Sequence, residues 1–344
     1  MRRKKVTLAH LAEQLGLSVQ TVSKALTGKP GMSEETRSEV SRLAKSLGYL
    51  TKDQKNALAY ERIPPYPIVR RRFVLLHNEQ FVNFNRLLLA GLHDRFTEFG
   101  HQVEPMLLPP GLQPRDFEDW AEKTGLPYAE GVFIAPRMTS DEMEERLLQL
   151  PMPRILLNFP PPESKVDSVI WDVHEAVHQS VRHLLRAGHR NILYAGDATS
   201  QRGFRLRWQA FQEAMKEGGL SADEDAHAAE PFQGRLGPWI AKFMERFRIA
   251  RPTAVLCAID EQVAPVYYAL KDAGVRIPQD CSLVGIVNEQ TERLPALTRP
   301  MLPIKESGYR AADRLLWRLA NPNMPYEHIR IRGDFIPGST MLRL

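Results

Sequence analysis

The sequence predicts an all-α helix-turn-helix head followed by an α/β body of two doubly wound parallel-sheet lobes. Three observations carry this reading. Short stretches with apolar residues at helical spacing, separated by glycine, fill the first fifty residues. From Phe73 onward, apolar runs of strand length alternate with helical segments, the pattern of parallel sheets covered by helices on both faces. The length, 344 residues, exceeds one ordinary core. The boundaries read as a head over 1–50, a hinge and linker over 51–72 and a body over 73–344. Within the body, lobe 1 takes about 73–171 and 302–330, and lobe 2 about 172–301 and 331–344.

The head reads as three helices. Thr7 is a candidate N-cap for a helix burying Leu8, Leu11, Ala12 and Leu15, which Gly16 ends. Ser18 caps a second helix that buries Val22, Ala25 and Leu26 and stops at Gly28-Lys29-Pro30-Gly31. The third starts at Ser33, with Glu34 and Glu35 near its positive end, buries Val40, Leu43, Ala44 and Leu47, and closes at Gly48. Helix, short glycine-containing turn, helix and supporting helix make a helix-turn-helix. Its second helix leaves Val19, Gln20, Ser23 and Lys24 uncovered. Gln20 and Lys24, four apart, share a face; glutamine bonds adenine at two points and lysine donates to guanine acceptors. The hydroxyls of Thr7, Ser18, Ser23 and Ser33 suit phosphate oxygens. The alternative is a plain helical bundle with solvated polar residues.

Pro64, Pro65 and Pro67 and the run Arg70-Arg71-Arg72 mark the connector. Strands are expected at Phe73–His77, Gly131–Ala135, Arg154–Asn158, Ser168–Trp171, Ile192–Ala195, Ala254–Ala258 and Ser282–Ile286. Helices are expected at Asn85–Phe99, Glu142–Leu150, His174–Ala187, Arg205–Glu217, Pro238–Phe247 and Gln262–Ala273. A cleft between two such lobes is a natural ligand site.

Charge separates the two parts. Residues 1–58 carry 11 Lys/Arg against 5 Asp/Glu, a net of +6, whereas the remainder nets −1. A basic head on a near-neutral body is the footprint of a phosphate-binding module, the alternative being a solvated basic tail. Two cysteines, Cys257 and Cys281, exclude a disulfide framework and a cysteine-rich zinc site. The basic start Met1-Arg2-Arg3-Lys4-Lys5 is followed by no apolar run, and no 18-residue apolar stretch occurs, so no membrane partner and a cytoplasmic, nucleoid-associated location are expected. No nucleophile elbow, Walker loop, dinucleotide fingerprint or His-Glu-x-x-His helix is present, so neither catalysis nor a cofactor is expected. His174 and His178 sit four apart and could share a metal, but a solvated helix face is the plainer reading and no metal site is assigned.

The run Val6-Thr7-Leu8, Leu11-Ala12 and Gly16-Leu17-Ser18-Val19-Gln20-Thr21-Val22-Ser23-Lys24-Ala25-Leu26 resembles the lactose-repressor/galactose-repressor family of bacterial transcription regulators. Ser33-Glu34-Glu35-Thr36-Arg37, Leu47-Gly48-Tyr49, Ala187-Gly188-His189-Arg190-Asn191-Ile192, Arg207, Val284-Gly285, Leu297-Thr298 with Gly308 and Ala312, and Gly338-Ser339-Thr340 extend the likeness almost end to end. The resemblance implies a homodimer reading a pseudo-palindromic operator, usually as a repressor, with lobes like those of type I periplasmic binding proteins. It implies base contacts from Val19, Gln20 and Lys24, and a minor-groove wedge at Leu58. It further implies an effector, a sugar or other metabolite, held by Asp172, Arg207 and Asp260 and coupled to DNA through lobe movement.

The sequence departs from the family pattern in three places. The hinge carries Thr51, Lys52, Lys55 and Asn56, and a lysine there should crowd or repel a partner hinge. His10 replaces the acid of a capping box. In the cleft, Ile259 and Val287 replace an asparagine and an aspartate, which would leave sugar hydroxyls unpaired. A regulator with a degenerate effector site, or a solute-binding protein without DNA function, are the competing readings.

Overall fold

The computed structural model describes residues 6–52, 54–55, 71–79, 82–136, 140–231 and 235–344. The chain forms two compact units, Met1–Ile68 and Val69–Leu344, divided inside the stretch that the sequence assigns to the linker.

The first unit holds α1 (Leu8–Leu15), α2 (Val19–Leu26) and α3 (Glu34–Ser46). Each has the side-chain cap its sequence predicts: Thr7 accepts from His10 N, Ser18 from Thr21 N and Ser33 from Thr36 N. Gly16 ends α1 at φ 64°, a left-handed conformation that favours glycine. Leu11, Ala12, Val22, Ala25, Val40 and Ala44 make the buried centre, and Leu8, Leu15, Leu26, Leu43 and Leu47 pack around it half-buried. After Tyr49, Thr51 N donates to Gln54 Oε1 at 3.0 Å and Gln54 N to Thr51 Oγ1 at 3.2 Å. This reciprocal capping box opens a helical turn, with Lys55 N donating to Thr51 O. Thr51-x-x-Gln54 is therefore a helix start. Lys55 Nζ lies 5.7 Å over the Tyr49 ring, folded back on its own head.

The second unit runs through β1 (Arg72–His77), α4 (Val82–Glu98), β2 (Gln102–Leu107), α5 (Phe117–Thr124), β3 (Gly131–Ile134), α6 (Asp141–Leu148), β4 (Arg154–Leu156) and β5 (Asp167–Trp171). It continues with α7 (Val173–Arg186), β6 (Ile192–Ala195), α8 (Arg202–Glu217), α9 (Leu236–Ala250), β7 (Ala254–Cys257), α10 (Asp260–Asp272) and β8 (Ser282–Gly285). β9 (Arg299–Pro300), α11 (Ile304–Ala320), β10 (His328–Ile331) and β11 (Phe335–Ile336) complete it. One all-parallel sheet has the order β10-β5-β4-β3-β1-β2, and a second has β6-β7-β8. β3, β5, β6, β7 and β8 are buried along their whole length, as strands covered by helices on both faces must be.

The chain passes between the two sheets three times, after β5, before α11 and after β10. The crossings lie side by side: Asp172 N donates to Ile331 O at 2.8 Å and Met301 N to Asp334 O at 2.7 Å. β9 and β11 form a short antiparallel ribbon next to them. α11 packs across α4 at backbone distance, since a Cβ built on Gly308 would stand 2.3 Å from Leu88 O. At its C-terminal end α11 places Arg314 and Arg318 on Asp167, which is fully buried. Glu327 N also donates to that carboxylate, fastening the segment before β10.

Candidate functional site

In the head, α2 is held from three sides. Ser18 caps its start, and Thr27 Oγ1 donates back to Ser23 O at 2.7 Å. Arg37 of α3 donates to Ala25 O at 3.3 Å and to Lys29 O at 2.9 Å, so the last carbonyls of α2 meet a cation. Arg37 was read only as part of a motif; its task here is to fix the pose of α2. Val22 and Ala25 face inward, leaving Val19, Gln20 and Lys24 exposed and Ser23 half-buried. Val19, 47% exposed, is an apolar side chain with no local reason to face water. A rigid helix with this face outward matches what major-groove readout needs. Thr7, Ser18 and Ser33 serve as caps, and the Ser18 and Ser33 hydroxyls also pair with those of Thr21 and Thr36 at 2.8 and 2.9 Å. Three helix N-termini with free first-turn N–H groups accompany them. Leu58 lies outside the described residues.

In the body, a cavity of about 50 Å³ lies between the two sheets. Phe84 from α4, Phe159 after β4, Ile170 from β5 and Phe204 from α8 give it apolar walls. Arg207 and Asp260 line it. Arg207 donates to Ala258 O and stacks over the Phe204 ring, while Asp260 accepts from Asn288 N at 3.1 Å and Asn288 Nδ2 at 2.9 Å. Both groups are thus already engaged within the protein.

Asp172 does not line this cavity. Its carboxylate caps α7, accepting from Glu175 N at 3.0 Å, and its backbone belongs to the crossings. The acid is used as a helix cap, so the effector contact expected of it finds no support in its position. Asn158, Trp171 and Asn288 line the cavity instead. Trp171 is 4% exposed, and its Nε1 has no hydrogen-bond partner among the described residues. A buried donor in that state costs roughly 1–3 kcal/mol. Only the position of Trp171 at the end of a strand, facing the crossover, hinted at such a role.

Two ion pairs bridge the lobes beside the cavity. Arg86 of α4 meets Glu289 at 2.5 Å, and Arg202 at the start of α8 donates to both oxygens of Glu144 in α6 at 2.6 Å. Arg202 Nε also donates to Phe159 O at 2.9 Å. His174 and His178 bond separate glutamates of α8, Glu213 at 2.8 Å and Glu217 at 3.1 Å. No group of three or more metal-ligating side chains occurs among the described residues. Nor is any described helix long and apolar enough to cross a membrane.

Residues 7–52 match the model of bacterial regulatory proteins, lacI family, and residues 181–341 match a periplasmic binding protein-like domain. Residues 7–52 thus carry a lacI-family DNA-binding domain, and residues 181–341 a periplasmic-binding-protein-like one. The chain is a DNA-binding transcription regulator, not an enzyme. Among similar proteins, the HTH-type transcriptional regulator DegA of Bacillus subtilis (strain 168) is 25% identical over 319 residues, covering 90% of this chain and 91% of its own. Catabolite control protein A of Staphylococcus epidermidis is 22% identical over 338 residues, covering 95% and 98%. The fold is that of the transcriptional regulator CelR in its cellobiose complex, with a TM-score of 0.67 at 21% identity over 98% of this chain and 100% of that one. It is also that of the lac repressor dimer bound to operator, at 0.65 and 20% over the same shares.

Proposed function

We propose that this lacI-family regulator acts as a homodimeric repressor, with Val19, Gln20 and Lys24 of each head reading base edges in one half of a pseudo-palindromic operator. The supporting observation is the capped and clamped α2, which turns these three side chains outward from a buried centre. Thr7, Ser18, Ser23 and Ser33 are the proposed phosphate contacts, setting register without carrying sequence information. Leu58 is retained as the proposed minor-groove wedge, following the capping box at Thr51 and Gln54. Proteins of the same fold include a lac repressor dimer bound to operator and regulators in complex with cellobiose, sucrose or glucose. By analogy a small molecule in the cavity, touching Arg207 and Asp260, modulates operator affinity. As a DNA-binding regulator it works in the cytoplasm, and association with the nucleoid is proposed.

A second reading has one observation in its favour. Arg207 and Asp260, which line the cavity, are already bonded inside the protein. On that reading the cleft is degenerate toward sugars and the head acts without sugar control.

The test of the head is base preference. Gln20→Ala and Lys24→Ala should each weaken cognate binding by about 1–3 kcal/mol and relax preference at one base position, measured by anisotropy on single-base operator variants. Unchanged base preference in both variants refutes the assignment.

A further inference from the structure

We infer that the interlobe cavity takes an uncharged ligand with an apolar body that presents a hydrogen-bond acceptor to Trp171 Nε1. The inference rests on the reading of this cavity as the effector site and supplies the ligand class that reading leaves open.

The walls weigh against the other classes. A hydroxylated ring needs a partner for each hydroxyl; Phe84, Phe159, Ile170 and Phe204 offer none, which leaves only the amides of Asn158, Gln201 and Asn288 and the carboxylate of Glu261. The polar groups at the far wall, Arg207 and Asp260, bond Ala258 O and Asn288. A charged ligand finds no unbalanced countercharge either. The guanidinium of Arg207 faces the carboxylates of Asp260 and Glu261 around the same cavity, and Arg299 lies within electrostatic reach of Asp260.

One buried donor at this cavity stands out. Trp171 is buried at the cavity wall, its Nε1 is without a partner among the described residues, and its ring is held edge-on to Phe84 at 4.9 Å. Folded proteins leave few buried polar groups in this state. An acceptor such as a ketone, lactone or ester oxygen satisfies the indole N–H, and the hydrocarbon part of the ligand covers the phenylalanines. Trp171 is thus a specificity-determining residue, absent from the set Asp172, Arg207 and Asp260.

Three probes of similar size separate the classes: cyclohexanone, cyclohexanecarboxylate and D-glucose, titrated by calorimetry into the full chain. Cyclohexanone should bind more tightly than the other two. Trp171→Phe, which keeps an aromatic ring and removes the N–H, should weaken cyclohexanone roughly fivefold while leaving the melting midpoint near that of the parent. Tighter binding of glucose or of the carboxylate overturns the inference, as does equal cyclohexanone affinity in Trp171→Phe. Should that variant fail to fold, the ranking of the three probes on the parent chain decides alone. Anisotropy on an operator duplex, run in parallel, distinguishes the failures. No probe binding with operator binding intact rejects this inference, and loss of both rejects the regulator reading beneath it.

Discussion

Two buried residues set much of the body's stability, and each has a defined electrostatic cause. Asp167 is fully buried, which by itself pushes its carboxyl up, but bonds from Arg318, Glu327 N and Arg314 outweigh burial and hold it below the usual carboxylate range. Asp167→Ala would strand two guanidiniums in the interior, so unfolding free energy should fall by about 3–5 kcal/mol in urea titration. A loss under about 1 kcal/mol would mean that water reaches the arginines. His227 is the second case. Tyr194 N donates to its Nδ1 at 3.1 Å, so that nitrogen must be bare, and burial pushes the ring down to about 4. Nearby Asp223 acts the other way and Arg246 adds to the depression. The unfolded chain takes up a proton near pH 6.5 that the folded chain refuses until about 4. The stabilisation is therefore complete above pH 6.5 and lost as pH falls toward 4, on the order of 3 kcal/mol. The urea midpoint of the parent should drop more between pH 7 and 4.5 than that of His227→Asn; parallel profiles would contradict this.

Among the elements, the contact of α4 with α11 is the least forgiving. Gly91 and Gly308 let the two backbones touch, and a Cβ on Gly308 would reach Leu88 O. Gly308→Ala should destabilise by about 1–3 kcal/mol, read from thermal unfolding, and no change would mean that the helices separate freely. The same elements show what can be read from a one-dimensional string. Runs such as Ile192–Ala195 and Ala254–Cys257 are buried on both faces, so their apolar composition announces them. β2 was missed because it is an edge strand, largely exposed and interrupted by Pro105. β10 was missed for a related reason, since its alternate residues face water at the opposite edge. α11 was seen only through Gly308 and Ala312, because its polar residues Arg314 and Arg318 are buried by an acid far away in sequence. In the site, Arg207 and Asp260 line the cavity, whereas the carboxylate of Asp172 caps α7. An aspartate just before a helix is equally well a cap, and only geometry decides.

The whole molecule joins a DNA-binding head to a body with a cavity between its two sheets. Arg86–Glu289 and Arg202–Glu144 join the two lobes, and of the two the half-buried Arg202–Glu144 pair contributes more. The basic head, net +6 over residues 1–58 against −1 for the rest, supplies the attraction to DNA that is independent of sequence. Specificity must come from α2 and symmetry from pairing of two chains. One measurement joins these statements: selection of duplexes from a random pool by the full chain, followed by affinity of the selected duplex against salt. The expected result is a single pseudo-palindromic sequence whose log affinity falls steeply and linearly with log salt, by about 0.9 for each phosphate neutralised. A pool that stays unenriched, or an affinity that is flat in salt, would contradict DNA reading by this head.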